Sequence, residues 1–338
     1  MASFLVDFTA RIATYVEELE RLQARNSQEH AFRATFWMEN TDFTLARDVF
    51  VAASGTIGQQ VTKFSLVLSK TPSREEGESI CQALDEPCEK LLTAAKVALF
   101  CGAGPSLAEE ILSDALRLTK SVLDLGKAIE HGELAKVPQL TGRVWEYSVS
   151  RVSKSNCVAS KRSMLQCISM LNSTVEELQE FLDEQGDSTS EQALDAVELD
   201  DEFAFDSSLS DEEKALFQAG LKLLKMSAGI LKRGVLAVKK LTSVEDQEAF
   251  LAWTSKLEAQ YSSVQDVVVD FGAAMYPPVG IEELSASVES LEATGSGVLS
   301  TLLAQPELSD ADAGQLTLGQ AAFAKQVAAV KEQLEVSQ

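Results

Sequence analysis

Histidine is nearly missing from this chain: His30 and His131 are the only two in 338 residues. Neither has a neighbour at the spacing a metal site or a catalytic triad uses, so zinc chemistry and His-based acid–base catalysis have no visible residues. His131, followed by Gly132, reads as a residue closing a helix. The five cysteines, Cys81, Cys88, Cys101, Cys157 and Cys167, form an odd set with no C-x-x-C pair. They point to a reduced, intracellular protein, and the seven-residue step from Cys81 to Cys88 places both on one helix face, as core residues would be. No apolar run approaches the ~20 residues that span a bilayer. The opening Met1-Ala2-Ser3-Phe4-Leu5-Val6-Asp7 has neither the charged nor the long apolar region of a signal peptide. Alternating β-branched runs bounded by hairpin turns are lacking as well, which leaves no candidate strand. Gly102-Ala103-Gly104 lacks the Gly-Lys-Ser/Thr that completes a phosphate loop, and no strand precedes it. Cofactor and metal sites are therefore not expected.

Positive charge is also scarce. Lys and Arg total 29 against 52 Asp and Glu, a formal net charge of −23. A phosphate backbone needs a basic face, so direct nucleic-acid binding is not expected, nor is attraction to an anionic membrane. Between Arg162 and Lys214 every charged residue is acidic, including the run Asp200-Asp201-Glu202. A segment this charged buries too little apolar surface to offset the entropy of ordering it. Residues 187–209 are expected to form an acidic, flexible linker between helical domains at 1–186 and 210–338.

What the chain has in abundance is helical periodicity. Leu5, Phe8, Ile12, Tyr15, Leu19 and Leu22 alternate steps of three and four, the spacing of one helix stripe. A second helix is predicted over 28–69, with Phe32, Phe36, Phe43, Phe50, Ile57, Val61, Phe64 and Leu68 on its stripe. Ser73 with Glu76 forms a capping-box pattern ahead of a third helix, in which Pro87 predicts a kink. Leu107, Ile111, Ala115, Leu118, Val122, Leu125 and Ile129 mark a fourth. A shorter amphipathic segment around Val144, Trp145 and Val152 follows Pro138, and a long helix is predicted at 157–185. Past the acidic stretch, helices are predicted at 210–241, through the stripe Phe250, Trp253, Leu257, Tyr261, Val264, Val268 and Phe271, and at 280–304 and 311–336, with Pro277-Pro278 closing the second of these. About ten helices on short connections give an all-α fold of two antiparallel bundles. Each buried Leu or Phe contributes about 1.5–3 kcal/mol, enough to hold such bundles without metals or disulfides. The heptad stripes at 157–185 and 210–241 suit either a dimer seam or the chain's own core. With so many amphipathic helices the core is the simpler use.

Two surface features stand out. Lys222, Lys225, Lys232, Arg233, Lys239 and Lys240 concentrate basic charge on the helix at 210–241, a candidate partner surface in an acidic chain. Ser208 and Ser210 lie among acidic residues, where an acid-directed kinase could add about −1.5 to −2 charges at a helix N-terminus. Ser210, with Glu213 three residues on, reads equally as an N-cap.

Phe36-Trp37, Val144-Trp145, the acidic segment and Met275-Tyr276-Pro277-Pro278 occur in an order and spacing that resembles the GCIP family of cyclin-D-interacting proteins, across nearly the whole chain. The resemblance implies a non-enzymatic, all-helical regulator of cytoplasm and nucleus. It implies negative control of cell-cycle progression and transcription, by binding D-type cyclins and helix-loop-helix transcription factors without contacting DNA. The docking surface would be the groove between the halves or the basic face at 210–241. A different class, a helical-bundle adaptor similar to vinculin and talin rods, would instead bring cytoskeletal partners, and actin co-sedimentation separates the two.

Overall fold

The computed structural model describes residues 3–28, 40–70, 72–187, 209–240, 247–277 and 279–336. Among the described residues the regular structure is ten α-helices and one 3-10 turn, with no strand. The chain divides into two compact units, Met1–Ser160 and Lys161–Gln338.

The first unit contains α1 (Ser3–Gln28), α2 (Thr41–Leu68), α3 (Arg74–Phe100), α4 (Pro105–Glu130) and α5 (Val137–Tyr147). Packing joins α1 to α3 and α4, and α2 to α3 and α5. Every residue of the predicted α4 stripe is buried, as are Phe8, Ile12 and Leu19 of α1. Phe8 of α1 and Phe64 of α2 meet with ring centroids 5.0 Å apart. On α2 the predicted stripe is buried from Phe43 to Leu68. Asn40 caps this helix, accepting from the backbone N–H groups of Asp42 and Phe43. Phe32, Phe36 and Trp37 lie outside the described residues.

The capping box ahead of α3 is formed in both directions. Glu76 N–H donates to Ser73 Oγ at 3.3 Å, and Ser73 N–H donates to Glu76 Oε2 at 3.0 Å. Pro87 sits buried inside α3, which continues through it to Phe100. At the far end of α4, His131 is the C-cap and Gly132 takes φ +73°, so the chain reverses through a left-handed residue that glycine adopts without strain. The segment around Val144 is helical only to Tyr147. Val152 is instead buried in a connection, where its carbonyl accepts from Arg47 Nε at 3.1 Å.

The boundary between units falls within α6 (Asn156–Asp187), after Ser160 and not at the residue 186 expected from the acidic stretch. Its first residue belongs to the first unit. Asn156 is buried, donates through Nδ2 to the Gly102 carbonyl at 3.2 Å and accepts from Gly104 N–H, clamping the α3–α4 turn. From Lys161 onward the helix belongs to the second unit, where side chains along it meet the helices that follow. Cys167 Sγ donates to the Tyr261 carbonyl at 3.3 Å, and Phe181 stacks near Phe217 and Tyr276 at 5.5 and 5.4 Å.

The second unit is completed by α7 (Asp211–Lys240), α8 (Gln247–Ala274), α9 (Ile281–Leu303) and α10 (Asp310–Val336). Here α9 touches α7, α8 and α10, and α10 lies against α7 as well. All seven predicted stripe positions on α8, Phe250 to Phe271, are buried. Polar side chains tie the helices together: Trp253 Nε1 donates to the Thr301 carbonyl at 2.6 Å and Gln326 Nε2 to the Ala219 carbonyl at 2.9 Å. Lys331 pairs with Glu292 at 2.6 Å. No helix among the described residues is long and apolar enough to cross a membrane.

Candidate binding surface on α7

Two glycines set how closely α7 approaches its neighbours. A Cβ on Gly220 would lie 2.8 Å from Met275 Cε, and one on Gly234 would collide with the Tyr261 hydroxyl, so both positions are held small by packing. The outward face of α7 carries the basic residues. At 100° per residue, Lys222, Lys225, Lys232, Arg233, Lys239 and Lys240 fall within an arc of about 120°. Lys222, Lys225, Lys232, Arg233 and Lys239 are all exposed. The side chain of Lys240 lies outside the described residues.

Lys225 Nζ donates to Gln179 Oε1 on α6 at 2.9 Å. Among the described residues, Lys222, Lys232, Arg233 and Lys239 meet no carboxylate. In a chain with so large an acidic excess, a row of cations that meet no carboxylate among the described residues is a surface suited to an acidic partner.

The same helix borders a groove of about 650 Å³ within the second unit. Met226, Ile230 and Leu236 of α7 line it, with Leu299 and Leu302 of α9 and Leu316 of α10. Arg233 and Lys239 also line it, so two of the six basic residues belong to this largely apolar groove. The groove escaped the sequence reading because its walls come from three helices whose pairing periodicity does not specify.

At the start of α7, Glu213 N–H donates to Ser210 Oγ at 3.2 Å and Ser210 N–H donates to Glu213 Oε2 at 2.8 Å. Ser210 is exposed and serves as the helix cap. Ser208 lies outside the described residues.

Four of the thiols are shifted away from nucleophilic chemistry. Burial pushes Cys81 up to about 12 and Cys167 up to about 11, and it also raises Cys88 and Cys101. A reactive cysteine requires the opposite shift. No group of His, Cys, Asp and Glu among the described residues is arranged to hold a metal ion. His30 lies outside the described residues.

Family models match along most of this architecture. The N-terminal model described as Grap2 and cyclin-D-interacting matches residues 50–184, from α2 to the end of α6. The C-terminal model of the same description matches residues 194–300, taking in α7, α8 and most of α9. The N-terminal match therefore runs past the structural boundary at Ser160, and α10 lies beyond the C-terminal match. No curated protein matches the chain.

Proposed function

The chain belongs to the GCIP family, the Grap2 and cyclin-D-interacting proteins, and from that membership we propose that it is a non-enzymatic regulator acting through protein–protein contacts. Its partners in this reading are D-type cyclins and helix-loop-helix transcription factors, and its effect is to restrain cell-cycle progression and transcription in cytoplasm and nucleus. The observation that carries the proposal is the exposed basic face of α7, within the residues matched by the family's C-terminal model. Cations without carboxylate partners in a chain of net charge −23 favour an acidic partner surface and disfavour wrong partners. The apolar stripes of α6 and α7 are turned into the fold at Met164, Leu171, Phe217 and Leu224, which supports their use as core rather than as an exposed zipper.

Phosphorylation at Ser208 or Ser210 would regulate docking in this scheme. At Ser210 a phosphate would replace the hydroxyl that accepts from Glu213 N–H, putting added negative charge at the favourable end of α7. Phosphopeptide mass spectrometry of the cellular protein tests this, and recovery of only unmodified 203–214 peptides would remove it.

The binding proposal is tested by pull-down of a purified D-type cyclin on the full chain at physiological salt. Retention that is lost in the variant K222E/K225E/K232E/R233E/K239E supports it. A cyclin that passes through unretained, or is held equally by that variant, counts against both the partner and the surface.

A further inference from the structure

The groove bounded by α7, α9 and α10 has a property that the family resemblance does not require, since one of its walls, α10, lies outside the matched residues. Its α7 wall runs from Met226 to Lys239, about 20 Å at 1.5 Å per residue. That length admits three or so successive apolar anchors of a helix, spaced one turn apart. Two glycines line it, Gly229 on α7 and Gly319 on α10, each inside a helix. Neither would meet any atom of the described residues within 4 Å if it carried a Cβ, in contrast to Gly234 on the same α7. Mid-helix glycine weakens a helix relative to alanine, and here no packing within the fold requires it. A backbone approaching from outside would use that space.

The other wall is incompletely packed. No residue of α10 from Asp310 to Ala322 is fully buried, and its buried positions begin only at Phe323. Charge then selects the occupant. Arg233 and Lys239 border the groove and meet no carboxylate among the described residues. The one acidic liner, Asp312, is engaged at the start of α10: Ser309 Oγ donates to its Oδ2 at 2.8 Å, and its own N–H donates back to Ser309 Oγ at 3.1 Å.

We propose that this groove is the docking site for an amphipathic helix of a partner protein, with an apolar stripe edged by Asp and Glu. The stripe seats against Met226, Ile230 and Leu302, the backbone passes close over Gly229, and the acidic edge pairs with Arg233 and Lys239. The inference holds whether or not a D-type cyclin is the partner.

The test is a display library of helical peptides, selected on the full chain and counter-selected on G229L. Leucine at 229 enters open space, so the variant is expected to fold as well as the parent while filling the groove. The expected result is enrichment of peptides with apolar residues at i, i+3 or i+4, and i+7 and a net negative charge. The enriched peptide, synthesised and followed by fluorescence anisotropy, should bind G229L roughly tenfold more weakly and R233E/K239E severalfold more weakly, with a difference that shrinks as salt rises. Enrichment of basic peptides, or no selection that depends on residue 229, overturns the proposal. So does groove filling by dodecanoate without peptide enrichment, which would assign the site to an anionic amphiphile. Self-association of the parent chain that G229L abolishes in sedimentation velocity also overturns it, because the occupant would then be a second copy.

Discussion

Replacing Gly234 by alanine should destabilise the second unit, against the usual preference of helices for alanine. A Cβ at 234 falls on the Tyr261 hydroxyl, with Tyr261 Cζ at 3.2 Å and Leu257 Cδ2 at 3.4 Å. Tyr261 is 2% exposed, and its hydroxyl donates to the Leu231 carbonyl, so it cannot withdraw into solvent. Helix propensity favours alanine by roughly 1 kcal/mol. Against that stand about 1–3 kcal/mol for overpacking a filled site and about 1 kcal/mol for the displaced hydrogen bond. The net is a loss of about 1–3 kcal/mol. Y261F alone should lose about 1 kcal/mol for the missing donor. In G234A/Y261F the new methyl occupies the vacated hydroxyl position, so the double variant should be more stable than the sum of the singles by about 1–2 kcal/mol. The assay is urea unfolding followed by Trp253 fluorescence, with Trp37 and Trp145 replaced by Phe so that only the second unit reports. A G234A protein as stable as its parent, or strictly additive single variants, would refute the packing argument.

Other outcomes follow from the same geometry. Iodoacetamide should label Cys101 ahead of the other four cysteines in the native chain, since it alone is half-exposed while the rest are buried, and all five after denaturation; early mass-spectrometric labelling of Cys88 would contradict this. N156L should loosen the α3–α4 turn by about 1–3 kcal/mol, because the Gly102 carbonyl and Gly104 N–H lose a buried partner, as read by urea unfolding. Bonds from the Ser73 backbone N–H and hydroxyl hold the Glu76 carboxyl below its ordinary range. A depressed carboxyl contributes fully above its unfolded value and loses that contribution as pH falls through its folded value. The advantage of the parent over E76Q in urea midpoint should therefore be constant near neutrality and vanish below the ordinary carboxylate range. An advantage that persists at pH 2 would show that the carboxylate's charge is not what the cap uses.

Much of the fold was legible from spacing. The stripes of α4 and α8 are buried at every predicted position, because steps of three and four in an isolated pattern leave one face for the core. The Ser73–Glu76 cap was equally plain, since its partners are three residues apart. The place of α6 was not. Periodicity says that Met164 and Leu171 are buried but not against which helix, and the contacts of Cys167 and Phe181 arise from residues up to 95 positions later. Val152 was misplaced for a related reason: a buried valine after Tyr147 continues the apolar pattern, although the backbone there has left the helix. The basic face of α7 could be read from residue numbers alone. The groove beside it could not, because Gly229 and Gly234 look alike in sequence and differ only in whether a side chain from another helix occupies the space above them.

Hydrogen–deuterium exchange on the full chain, with and without a saturating D-type cyclin, tests most directly whether the basic face of α7 is where this protein meets its partner. Protection concentrated over 222–239, reduced in the charge-reversed variant, is the predicted result. Unchanged exchange across α7, or protection confined to the helices of the first unit, would contradict it.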